Sequence, residues 1–139
     1  MLSKPRHGWT EFSLGESRYS ISYLSNVPLD WLDRAIFGLE TLSPFTVSGY
    51  CEPGRVICTV EIPRCRITFE DGGHCRGEGS LETVAVTMLD FCKMLHRDFS
   101  SCVDAWSQWN ASYNFKKEDI QSRLDRLQML IRIKEKCFF

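Results

Sequence analysis

The sequence predicts an α+β domain: an antiparallel sheet of about five to six strands, with one helix early and two C-terminal helices packed on one face. Three observations carry this expectation. Apolar and polar residues alternate through much of positions 9–86, which is the period of a half-buried strand. Apolar residues instead recur every three or four positions in 27–42 and again beyond 87, which is the period of a helix. Gly, Pro, Asn and Asp stand where the period changes. A length of 139 residues predicts a single domain, 1–139.

Each element has its own local reason. Phe12 and Leu14 alternate with polar residues, Gly15-Glu16-Ser17 breaks the run, and Tyr19, Ile21 and Tyr23 resume it, which predicts a hairpin. Asn26-Val27-Pro28 opens a helix, with Asn26 as the cap, Pro28 in the first turn, and Asp30 and Asp33 near the positive end of the dipole. Leu29, Leu32, Ala35, Ile36 and Leu39 make its apolar stripe, off which Trp31 and Phe37 lie. Ser43-Pro44 ends it.

Strands follow over 45–51, 56–61 and 64–70, the first two joined through Glu52-Pro53-Gly54-Arg55 in the pattern of a type II turn. The glycine-rich stretch 71–80 is expected to be a mobile loop and 81–86 a last short strand. Thr87-Met88-Leu89-Asp90 reads as a capping box for a helix running to about Asn110, with Ser100-Ser101 able to bend it. A final helix covers about 116–136, with Ile120, Leu124, Leu127 and Ile131 spaced 4, 3, 4.

Composition narrows the function. A net charge of -1, from 17 basic and 18 acidic residues, leaves no footprint for nucleic acid and no polybasic membrane patch. No apolar run approaches the ~20 residues of a membrane span, and no apolar segment follows the basic opening, so a cytoplasmic protein is expected. Seven cysteines, an odd number, fit reduced thiols better than a disulfide framework. Cys51, Cys58 and Cys65 recur at intervals of seven, with His74 and Cys75 beyond, yet no close Cys pair gives the tight turn that structural zinc uses. Core filling is therefore the expected role of the cysteines, and no cofactor or metal is expected.

No nucleophile elbow, zinc-protease helix or P-loop is present. The histidines, His7, His74 and His96, are scattered along the chain. The alternative to a binding protein is a small enzyme or a ligand or metal carrier that uses the 71–80 loop and a nearby helix, with His74, Cys75 and His96.

Surface-binding residues are the better fit. Asp30 and Asp33 flank Trp31 at the helix start, Glu52 and Arg55 flank the hairpin tip, and Trp109 leaves its helix's apolar stripe. Charge is also unevenly divided, -3 over residues 1–87 against +3 over 116–139. An acidic front of this kind either meets a basic partner or belongs to a solvated, internally paired surface, as between Asp119 and Arg123.

The layout resembles that of small cytosolic immunity proteins that accompany bacterial polymorphic and contact-dependent toxins. The likeness rests on size, the Trp9…Phe12 strand entry, the Trp31 helix, a strand-rich middle and a helical tail. It implies a non-catalytic protein-binding module that masks the active site of a toxin domain, with Asp30, Asp33, Glu40 and Glu52 as contact residues. The near-neutral charge departs from the acidic balance of a nuclease inhibitor. The chain is then expected as a monomer or a homodimer, the last helix offering one route to self-association.

Overall fold

A computed structural model describes residues 1–71, 74–75, 81–113 and 115–137, with the backbone alone at 74–75. The class is α+β, as the sequence predicts, but the strands form two antiparallel sheets. β1 (Trp9–Leu14) and β2 (Ser17–Ser22) make a hairpin in full register, Trp9 opposite Ser22 and Leu14 opposite Ser17. The second sheet is a meander of β3 (Phe45–Tyr50), β4 (Arg55–Val60) and β5 (Cys65–Asp71). The far edge of β5 pairs with both β6 (His74–Cys75) and β7 (Glu82–Val84).

The hairpin stays out of the larger sheet because both its edge and its face are otherwise used. Residues 1–6 run antiparallel along β1, with bridges Leu2 to Phe12 and Arg6 to Trp9. Its apolar face crosses the inner face of the meander: Ile21 lies against Gly49, and Tyr19 stacks on Phe69 at 5.3 Å and 7°. A Cβ at Gly49 would stand 2.5 Å from Ile21 Cγ2, so only glycine permits this approach. Glu82 of β7 ties down the hairpin turn, its carboxylate accepting from the Glu16 N–H at 2.8 Å and from the Ser17 hydroxyl.

Helix α1 (Val27–Thr41) starts where the sequence places it, with Asn26 Oδ1 accepting from Leu29 N at 3.4 Å. Helix α2 (Met88–Ser100) is capped by Thr87, whose hydroxyl accepts from Asp90 N at 3.1 Å. The expected long helix to residue 110 breaks: α3 (Val103–Ser107) and a 3₁₀ turn (Ala111–Tyr113) follow as separate pieces. The hydroxyls of Ser100 and Ser101 and the thiol of Cys102 turn back onto the carbonyls of Arg97 and Asp98 and compete with the next helical turn. Helix α4 (Lys117–Cys137) buries Ile120, Leu124, Leu127, Leu130 and Ile131 within the chain. Its 4, 3, 4 stripe is thus spent on intramolecular packing and is not free for a partner helix.

The helices cover the inner face of the sheet, α1 lying between β3 and α4, and α2 also packing on α4. Phe45, Val47, Val56, Cys58, Val60, Cys65 and Ile67 point inward, and the alternate residues of each strand face outward. Cys58, Cys65 and Cys92 are buried, the core-filling role expected of them. Among the described residues no helix is long and apolar enough to cross a membrane. The β3–β4 connection departs from a type II turn: the Glu52–Pro53 peptide is cis, and Glu52 and Gly54 both have positive φ.

Candidate protein-binding site

Two of the proposed contact residues are interior. Trp31 is 1% exposed, and its indole Nε1 donates to Ser48 O at 2.9 Å. The reason is α1's position between two neighbours: it buries a wider arc than one stripe, and Trp31 fills the β3 side. The same bond occupies a carbonyl on the outer edge of β3, which blunts that edge. Trp109 is 3% exposed, its ring 5.3 Å from that of Trp106. The α3 break turns it inward, where a continuous helix would have held it outward.

The acidic helix face is paired within the chain. Asp30 bonds Arg34 at 3.2 Å, Asp33 bonds Arg123 of α4 at 2.7 Å, and Glu40 bonds Arg126 of α4 at 2.5 Å. Arg123 therefore reaches across to Asp33, and its only link to Asp119 is to the backbone oxygen. Two carboxylates of the acidic front, Asp33 and Glu40, thus find their cations on the basic tail. Exposed pairs of this type contribute about 0.2–1 kcal/mol each.

The hairpin tip is different. Arg55 pairs with Glu70 across β4 and β5 at 2.8 Å, and the guanidinium holds the Glu70 carboxyl below its usual range. Glu52 is exposed at the tip. Beside Arg55 in the register stands Tyr50, 44% exposed on the outer face of β3. Tyr113 lies close enough to Tyr50 for their phenolates to repel, and burial foremost, then that repulsion, raises the Tyr113 pKa.

Next to these rings is a loop the sequence did not single out. Residues 23–26 join β2 to α1, and the three consecutive carbonyls of 23–25 each accept from a side chain of the segment after α3. Asn110 Nδ2 donates to Tyr23 O at 3.0 Å, Tyr113 Oη to Leu24 O at 2.5 Å, and Trp109 Nε1 to Ser25 O at 2.7 Å. The backbone is held, while the side chains of Tyr23 and Leu24 remain 43% and 49% exposed. Alternation places Tyr23 inward; the period instead stops at Ile21, because β2 ends at the buried Ser22 and Tyr23 lies over Gly8.

Clamped apolar side chains, tyrosine rings, an ion pair and an exposed carboxylate lie along one end of the fold. Arg55 and Glu52 belong to it, and Trp109 supports it from beneath. Asp30 and Asp33 lie apart on α1.

The glycine-rich loop falls at 72–73 and 76–80, outside the described residues, as do the side chains of His74 and Cys75. His96 faces α4, near the Leu124 backbone and the Asp125 carboxylate, and burial lowers its pKa. Among the described residues no group of three or more His, Cys, Asp or Glu could hold a metal ion. No family model, curated protein or solved structure matches the chain.

Proposed function

We propose that this chain is a non-catalytic protein-binding module and that it grips its partner with the clamped 23–25 loop, Tyr50 and the Arg55–Glu70 pair. The single observation that carries the reading is the clamp. Three side-chain hydrogen bonds order a short loop whose two large apolar side chains nevertheless stand in water. Ordering such a loop in advance lowers the entropic cost of association. Tyrosine and an ion-paired arginine are frequent anchors and rim groups of interfaces.

The type of module proposed is the immunity type, a cytoplasmic protein whose partner is a toxin domain, and the layout supports it. Free thiols at six described cysteines accord with a reducing compartment. The internal pairing of Asp33 and Glu40 moves the proposed contacts from the α1 carboxylates to the loop and hairpin tip.

The test is affinity capture of the tagged chain from its host, compared with the Leu24→Asp/Tyr50→Asp variant and with Met129→Ser as a surface control. The proposal expects one protein in fixed ratio with the wild type and the control, and its loss with the double variant. Equal capture by all three chains would overturn the assignment.

A further inference from the structure

Trp9 is 39% exposed, while the other three tryptophans are buried. A tight turn holds it there. Arg6 and Trp9 exchange both backbone hydrogen bonds, at 2.9 and 3.0 Å, across His7 and Gly8, whose φ values are 52° and 78°. Residues opposed in this way have Cα atoms about 5.5 Å apart and side chains on one face. The turn therefore sets a guanidinium beside an indole that stands in water.

A recess of about 430 Å³ opens at this pair, lined by Arg6, Trp9, Lys4, Glu11 and Ser20 among others. It rests on the bonds that hold residues 1–6 along β1: Thr10 Oγ1 donates to Ser3 O at 2.6 Å, and the Glu11 N–H to Ser3 Oγ at 2.8 Å. Among the described residues the side chains of Lys4 and Arg6 have neither an ion-pair nor a hydrogen-bond partner. Glu11 pairs with Arg18 at 3.7 Å, both side chains remaining exposed.

Three chemistries meet in the recess, and one class of ligand uses them all. The two unpartnered cations suit a phosphate. The indole offers its face to a flat base, with little preference among bases. The Glu11 carboxylate can accept from vicinal hydroxyls, as acidic side chains do beside a ribose. An acidic peptide would be repelled by Glu11 and would leave the indole unused. A bilayer would need a protruding anchor, whereas Trp9 walls a concavity. The volume lies within the range of small-molecule sites, and the net charge of -1 gives no reason to extend the ligand into a strand.

We propose that the recess binds a ribonucleoside monophosphate, with the base on Trp9, the phosphate at Arg6 and Lys4, and the ribose hydroxyls on Glu11. It shares no residue with the 23–25 loop and hairpin tip, so the proposal stands without the partner assigned there. Both cations are exposed, so binding is weak and falls as salt rises.

NMR titration of the isotope-labelled full chain with AMP tests it. The Trp9 indole N–H and the amides of residues 3–11 should shift in a saturable way, while the indoles of Trp31, Trp106 and Trp109 stay in place. Adenosine and inorganic phosphate should each bind at least about tenfold more weakly than AMP, since each lacks part of the contacts. Trp9→Leu should weaken AMP binding by about fivefold or more, and Arg6→Gln or Lys4→Gln by several-fold. AMP should bind better than dAMP, and Glu11→Ala should remove that preference. Circular dichroism checks the fold of Trp9→Leu, and the changes at exposed Arg6 and Lys4 test the site independently of it. The absence of a saturable shift at Trp9, inorganic phosphate competing as well as AMP, or binding indifferent to Arg6→Gln and Lys4→Gln would overturn the proposal. Equal binding of AMP and dAMP would overturn the role given to Glu11.

Discussion

Tyr113→Phe isolates the clamp with a single atom removed. The phenol donates to Leu24 O at 2.5 Å, and both groups reach solvent, so water replaces part of what is lost. A net loss of about 0.5–1 kcal/mol follows, at the lower end for a protein hydrogen bond. That loss should raise local opening by about two- to fivefold, since every 1.4 kcal/mol is tenfold. The reporters are the amides of Leu24, which donates to Ser22 Oγ, and Val27, which donates to Ser25 O. Hydrogen exchange followed by NMR should show them exchanging faster while amides of β4 and α4 stay unchanged.

The pH dependence has a definite sign. The phenol donates only while protonated, and its pKa is raised by burial and then by Tyr50. The stabilisation is therefore complete below the ordinary tyrosine value near 10 and is lost as pH rises through the raised value. Loop protection that is the same in Tyr113→Phe and the wild type, or that fades already between pH 7 and 9, would refute the clamp.

Other outcomes follow from the packing and the titrating groups. Gly49→Ala forces a methyl against the buried Ile21 and should cost about 1–3 kcal/mol, seen as a lower melting temperature; an unchanged melt would show that the hairpin does not lie on β3 so closely. The Cys92 thiol, pushed up to about 12 by burial foremost, should stay unmodified by a disulfide reagent in the folded protein, whereas exposed Cys137 reacts at once. The Glu82 carboxyl is held below its usual range by the Ser17 hydroxyl first and the Glu16 N–H next. Its contribution is present above the unfolded carboxylate pKa and lost as pH falls through the lowered folded value, so Glu82→Gln should flatten the acid limb of a stability–pH curve.

Much of the fold was legible from local chemistry. Asn26, Pro28 and Thr87 announce helices through backbone donors that need partners, and those caps form as expected. The strand period in 45–70 specified the meander and its inward face. What escaped depends on packing between distant segments. A hairpin can join a sheet edge-on or cross it face-on, and the contact of Ile21 with Gly49 that decides this spans residues far apart in sequence.

The site was half legible for the same reason. The exposed turn marked Glu52 and Arg55, since tight turns lie at the surface. Trp31 and Trp109 were misplaced because departure from a stripe means exposure only when a helix has one neighbour and runs unbroken. Phe37 left the same stripe and is exposed, since neither α4 nor β3 reaches that side of α1. The clamp had only a faint signal, polar and aromatic donors at 109, 110 and 113, whose partners lie more than 80 residues away.

The most direct test of the binding surface is a hydrogen-exchange footprint of the captured complex against the free chain. The account predicts added protection at residues 23–26, 50–55 and 110–113 and little change on the outer face of α4. Protection confined to other surfaces, with the clamped loop exchanging as it does in the free chain, would contradict it.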